Sequence, residues 1–210
     1  MWILIVSLGC NQDNKKKPMQ ITLPDTALTN RIDHGYVYSN QLRRELNLKD
    51  LRIGVDSFEF RIYEEFSLGT PDRLFIIKNE NYKWKCSLYH YWTIRLEKES
   101  PMRIEEMISN TFVDSCSFKN IIPLCGWNKF IDTLNHLNLF SLPSQSEING
   151  FSDGVEDGID FRFEVATKER YKYYSYHCPE IYKDVNNKKA TQILEFIGRQ
   201  IDPIWFCNLH

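Results

Sequence analysis

Phe58, Phe60 and Ile62 alternate with Glu59, Arg61 and Tyr63, and further along Phe161, Phe163 and Val165 fall on one side of a second such stretch. A period of two sends successive side chains to opposite faces, so each stretch is expected to be a strand with one face buried. Partner strands follow both. Ser67-Leu68-Gly69-Thr70-Pro71-Asp72 reads as a loop, Leu74 to Ile77 as a strand, and Asn79-Glu80-Asn81 as a turn into a third strand, Tyr82 to Leu96. On that third strand Trp84, Cys86, Leu88, His90 and Trp92 share one face, and Lys83, Lys85, Ser87, Tyr89 and Tyr91 the other. Likewise Lys168-Glu169-Arg170 turns into a strand from Tyr171 to His177, which Pro179 stops.

The two hairpins share a loose plan. Asp56-Ser57-Phe58-Glu59-Phe60-Arg61 resembles Asp160-Phe161-Arg162-Phe163-Glu164, and both hairpins end in Tyr-His, at Tyr89-His90 and Tyr176-His177. Residues 51–96 and 155–178 therefore read as a possible degenerate repeat. Helical spacing appears in three places. A helix is expected from Ser100 to Asn110 with Pro101 at its first position, a second from Trp127 to Asn138, and a third over residues 187–200 that Pro203 bars from continuing. The fold class is α+β: an antiparallel sheet built from two hairpin or meander units and backed by about three helices. Thirteen Phe, eleven Tyr and five Trp, within 42% hydrophobic residues, supply a core of ordinary single-domain size, and that domain is expected over residues 25–210.

The N-terminus has a different character. An uncharged run from Trp2 to Leu8 ends in Gly9-Cys10 and turns abruptly polar at Asn11-Gln12-Asp13-Asn14-Lys15-Lys16-Lys17. This resembles the signal and lipobox of bacterial lipoproteins, shifted by one place, since Ser7 and Leu8 stand where Leu and a small residue are usual. The resemblance implies cleavage before Cys10, lipid on its thiol, a signal segment over residues 1–10, a polar tether over 11–24, and a place in the cell envelope on its periplasmic or outer face. The other reading is a buried strand, Trp2 to Val6, stopped by a Gly-Cys-Asn turn. Either way the run is far shorter than the roughly 20 residues that span a bilayer.

Charge excludes one class of partner. The 26 Lys and Arg nearly cancel the 28 Asp and Glu, and a net charge of -2 gives no field that would recruit nucleic acid. With Cys10 lipidated, Cys86, Cys116, Cys125, Cys178 and Cys207 form an odd set that specifies no disulfide framework, although Cys116 and Cys125 could close a short loop. Cys-x-x-Cys and paired Cys/His spacings are absent from the sequence, so neither structural zinc nor any other cofactor is expected.

Three patches bear on function. Asp153, Asp157, Gly158 and Glu164 fall at positions one, five, six and twelve of a calcium-loop template, but Val155 and Phe161 replace two other ligands. The plainer reading is a turn whose Asp157-Gly158 supplies a positive backbone angle. His90 and His177, with Tyr89, Tyr176 and Cys178, would form a metal or acid-base site if the hairpin ends met. Cys178 and His177 alone cannot act as a pair without distortion, because neighbours on a strand point to opposite faces. Finally Tyr173, Tyr174 and Tyr176, extended by Trp84, Tyr89, Tyr91 and Trp92, could stack on sugars or anchor a protein, or could equally pack across strands. The favoured expectation is a lipid-anchored envelope protein with a non-catalytic binding domain for a protein or glycan partner. A surface hydrolase or metal-dependent enzyme built on His90 and His177 is the alternative.

Overall fold

A computed structural model describes residues 19–24, 34–66, 70–96, 103–152, 154–155 and 158–202. Its strands are β1 (Gln20–Thr22), β2 (Phe58–Phe66), β3 (Asp72–Glu80), β4 (Lys83–Arg95), β5 (Thr111–Ile121), β6 (Ile159–Thr167) and β7 (Arg170–His177). They form one sheet in the order β1-β7-β6-β2-β3-β4-β5. Neighbours run antiparallel except β1, which lies parallel to β7. The helices among the described residues are α1 (His34–Glu45), α2 (Ile104–Ser109), α3 (Trp127–Leu137) and α4 (Val185–Ile201). The protein is thus α+β with a mostly antiparallel sheet. The two hairpins meet through their opening strands, with Phe60 opposite Val165, Arg61 opposite Glu164 and Ile62 opposite Phe163.

One face of the sheet is apolar. Phe60, Ile62, Phe75, Ile77, Leu88, Phe163 and Val165 pack beneath Phe130 and Leu134 of α3 and Ala190, Ile193 and Ile197 of α4. Helix α4 starts where Asp184 accepts from the Asn186 and Asn187 amides at 2.9 and 3.0 Å, satisfying donors that an uncapped helix leaves open. Asn138, in the left-handed region, ends α3.

The other face departs from the simple alternation. Alternation alone would leave Glu59, Arg61, Tyr63, Arg162 and Glu164 on a solvated side, yet all are buried: α1 lays Tyr38 and Leu42 over Tyr63, Leu74, Ile76 and Tyr91, and Leu51 and Val55 pack with Ala166, Tyr171 and Tyr173. Burial of charge is tolerable only with partners. Arg61 donates to Glu59 at 2.8 Å and to the Lys49 carbonyl at 2.8 Å, and Glu164 accepts from Tyr63 at 2.9 Å and Tyr171 at 2.8 Å. Arg162 donates to Glu65 at 2.7 Å, with its guanidinium 4.6 Å from the centre of the Tyr38 ring.

Two elements lie where no regular structure was expected, α1 and β5. Strand β1 also takes up Gln20–Thr22 from the segment read as tether, through Gln20 N donating to the Glu169 carbonyl at 2.7 Å. Residues 1–18, including Cys10 and the Trp2 to Val6 run, lie outside the described residues, as do 100–102 at the start of the first expected helix.

Candidate functional site

The sheet separates the residues that a two-histidine site would need. Along one row Tyr176 faces Phe161, Glu64 faces Phe161 and Arg73, and Arg73 faces His90, so His90 shares the apolar face with Tyr176. His177, one residue on, points to the opposite face. Strands β6, β2 and β3 also intervene, and four spacings of about 4.8 Å put the histidines on the order of 19 Å apart. The hairpin ends do not meet, and no His90–His177 site forms. Burial, with Arg73 and Lys119 alongside, pushes the His90 imidazole below its ordinary value. His177 instead bonds Asp160 through Nδ1 at 2.8 Å.

The tyrosine stripe is core, not surface. Tyr173, Tyr174 and Tyr176 are at most 1% exposed. Tyr174 stacks on Phe163 with centroids 4.8 Å apart, and Tyr176 donates to the Pro143 carbonyl at 2.8 Å. They therefore cannot join Tyr89 and His90 in an exposed ligand surface. Tyr89 is half-buried and stacks on Phe118 at 5.3 Å. In the calcium template, Glu164 is committed to the buried layer already described, while Asp153 and Asp157 lie outside the described residues. Among the described residues no cluster of three His, Cys, Asp or Glu side chains could hold a metal ion. Gly158 does not have the positive φ expected of it. Its need is space, since a Cβ there would stand 2.1 Å from Cys178 Sγ.

With both faces covered, the feature that remains open is an edge. Strand β1 closes one side of the sheet with three residues, whereas β5 closes the other with eleven. Asp114 to Asn120 are exposed in an unbroken run, so this part of β5 lacks cover on either face. Phe118 is 63% exposed and Trp92, on the neighbouring strand, 45%. An edge strand leaves outward N–H and C=O groups in a row, and natural edges are usually short, bulged or guarded by Pro and Lys. The β4–β5 pair has a register shift at Trp92/Thr93, but β5 contains no Pro and a single Lys, Lys119. Cys116 lies within the exposed run as a free thiol, away from Cys125, which is free as well.

A groove of about 630 Å³ opens beside the start of β1, lined by Met19, Lys49, Arg52, Ile53, Lys168 and Glu169 among others. Arg52 is held by Asp50 at 2.5 Å, and Asp56 and Glu169 offset the lysines, so the groove has no strong field of one sign.

Cys178 and His177, which strand alternation sets apart, both border Gly158. β7 ends at His177, and Cys178 turns into the left-handed region at φ 42°, ψ 55°. The Cβ position of Gly158 that lies 2.1 Å from Cys178 Sγ is only 3.1 Å from His177 Nε2. His177 Nε2 has no hydrogen-bond partner among the described residues, so thiol and imidazole border Gly158 without a bond between them.

Comparison with protein-family models, curated proteins and solved structures finds no match to this chain.

Proposed function

We propose that this chain is a lipid-anchored protein of the bacterial cell envelope, held through acylated Cys10, whose α+β domain binds without catalysis by taking an extended segment of another protein onto β5. The observation that carries the reading is the exposed run Asp114 to Asn120 on an eleven-residue edge, in a sheet whose two faces are covered. Unpaired main-chain donors and acceptors match a peptide backbone, which favours protein over glycan as the partner. Phe118 and Trp92 offer the apolar contacts that would add side-chain selectivity.

β1, the first strand after Cys10, and β5 are the opposite edges of the sheet. β1 begins ten residues after Cys10, a chain length that reaches at most about 35 Å. β5 is six strand spacings from β1, about 29 Å across the sheet. A domain tethered by one edge in this way presents the other to its surroundings, and multiple acyl chains hold it where one would not.

Lipidation is tested by expressing the native-start protein and its Cys10→Ala variant in a bacterial host with an alkyne fatty acid, then comparing label and membrane partitioning. Label and membrane association that vanish together in the variant are expected. An unlabelled wild type in the soluble fraction would remove the envelope reading.

A further inference from the structure

Strand β5 is not electrically uniform. Within the exposed run its two charged side chains stand near opposite ends, Asp114 at one and Lys119 at the other, with Ser115, Cys116, Ser117 and Phe118 between them. Among the described residues neither side chain forms an ion pair. Lys119 faces Leu88 of β4, and the register shift leaves Asp114 with no opposite residue, because Ser115 faces Trp92 and Val113 faces Thr93. The Lys119 charge is felt across its own face of the sheet. After burial, Arg73 and then Lys119 hold the His90 imidazole below its ordinary value, and His90 faces Ser117 on that side. On the α1 side Phe118 stands opposite Tyr89, stacked on it at 5.3 Å, and is 63% exposed.

A segment added to this edge continues the sheet and meets these side chains one for one, since directly opposed residues on neighbouring strands share a face. Antiparallel pairing is slightly more stable per residue than parallel, and β5 already pairs in that way with β4. Run antiparallel, the segment reaches Lys119 first and Asp114 last. Resting on the docking reading above, we propose that the segment received by β5 runs antiparallel and carries an acidic residue against Lys119, then an aromatic or β-branched residue against Phe118, and, five places after the acid, a basic residue against Asp114. Opposite charges attract in these cross-strand places, while a segment of reversed charge order sets like against like at both ends. The edge thus reads the order of charges and not their number. A segment of the same composition with its base leading is selected against.

The probes are two synthetic peptides of one composition. The first is Thr-Glu-Tyr-Thr-Val-Thr-Lys-Thr, the second exchanges its Glu and Lys, and each carries an N-terminal fluorophore. Binding to the full chain with Cys10→Ala, which keeps lipidation out of the readout, is followed by fluorescence anisotropy at low salt. The first peptide is expected to bind about tenfold tighter, with the difference shrinking in high salt and the preference inverting in the double variant Asp114→Lys, Lys119→Glu. Phe118→Ser is expected to weaken both peptides alike, by about fivefold. Equal affinities, or tighter binding of the second peptide, with both lost in Ser117→Lys, would overturn the charge order and leave the docking edge in place. Binding of neither peptide, or binding that Ser117→Lys spares, would overturn the docking reading and this inference with it. Near-ultraviolet circular dichroism reports whether each variant keeps its fold, and where one does not, the comparison of the two peptides on the Cys10→Ala chain decides.

Discussion

The two faces of this sheet are covered by opposite means. Beneath α3 and α4 the side chains are mostly apolar and aromatic, with one buried ion pair, Glu64 and Arg73, towards the Asp202 end of α4, and stability there depends mainly on filled volume. Beneath α1 the same strands bury Glu59, Arg61, Arg162 and Glu164, and stability depends on every charge keeping its partner. The difference teaches that burial on this molecule is not a matter of hydrophobicity alone, and that over the central strands neither face is left for a ligand. What remains for recognition is the sheet's long open edge.

Substitutions can break or sharpen that contrast. On the apolar face Phe163→Ala should cost about 3–5 kcal/mol of unfolding free energy in urea titrations, through the cavity it leaves. On the ionic face Glu164→Leu alone should cost about 3–5 kcal/mol, because Arg61 and the Tyr63 and Tyr171 hydroxyls lose an acceptor. Here the faces diverge. Adding both Arg61→Met and Glu59→Leu to Glu164→Leu, so that no partner is left charged alone, should recover much of the loss, whereas no further deletion should rescue Phe163→Ala. A triple variant no more stable than the single would mean that the ionic layer works by packing like its counterpart.

A smaller effect is set by pH. Burial raises the Asp72 carboxyl to about 6, against the Phe66 amide and Arg162 that favour its charge. The folded protein then holds a proton that the unfolded chain releases near the ordinary carboxylate value. This contribution to stability is present below that value and is lost as pH rises to about 6. Wild type should therefore lose stability relative to Asp72→Asn between about pH 4 and 6. A difference that stays flat or reverses across that window would contradict the burial argument. The smallest stability change belongs to the edge, where Phe118→Lys should fall within about 1 kcal/mol of wild type, as exposed sites do. Its effect should fall on docking instead.

Periodicity made much of this fold legible. β2, β4, β6 and β7 alternate because one of their faces meets an apolar layer, and the α3 and α4 stripes face that same layer. Helix α1 gave no such stripe, since it buries polar Ser39 and Gln41 beside Tyr38 and Leu42. β5 was hidden for the converse reason, because a strand exposed on both sides has no need to alternate. Among candidate site residues, the tyrosines of β7 were ambiguous because an aromatic stripe reads alike whether it is covered or open. Their cover comes partly from the loop around Pro143, which no local pattern foretells.

The claim that recognition occurs at the β5 edge is tested most directly by photo-crosslinking in the envelope. A photoreactive residue would be placed singly at Asp114, Cys116 and Phe118, and at Ile181, which is exposed but lies off the edge. One partner protein joined at the β5 positions, absent at Ile181 and lost when Ser117→Lys guards the edge, is the predicted result. Adducts as frequent at Ile181 as on β5, adducts that persist with Ser117→Lys, or a product of two copies of this chain would contradict it.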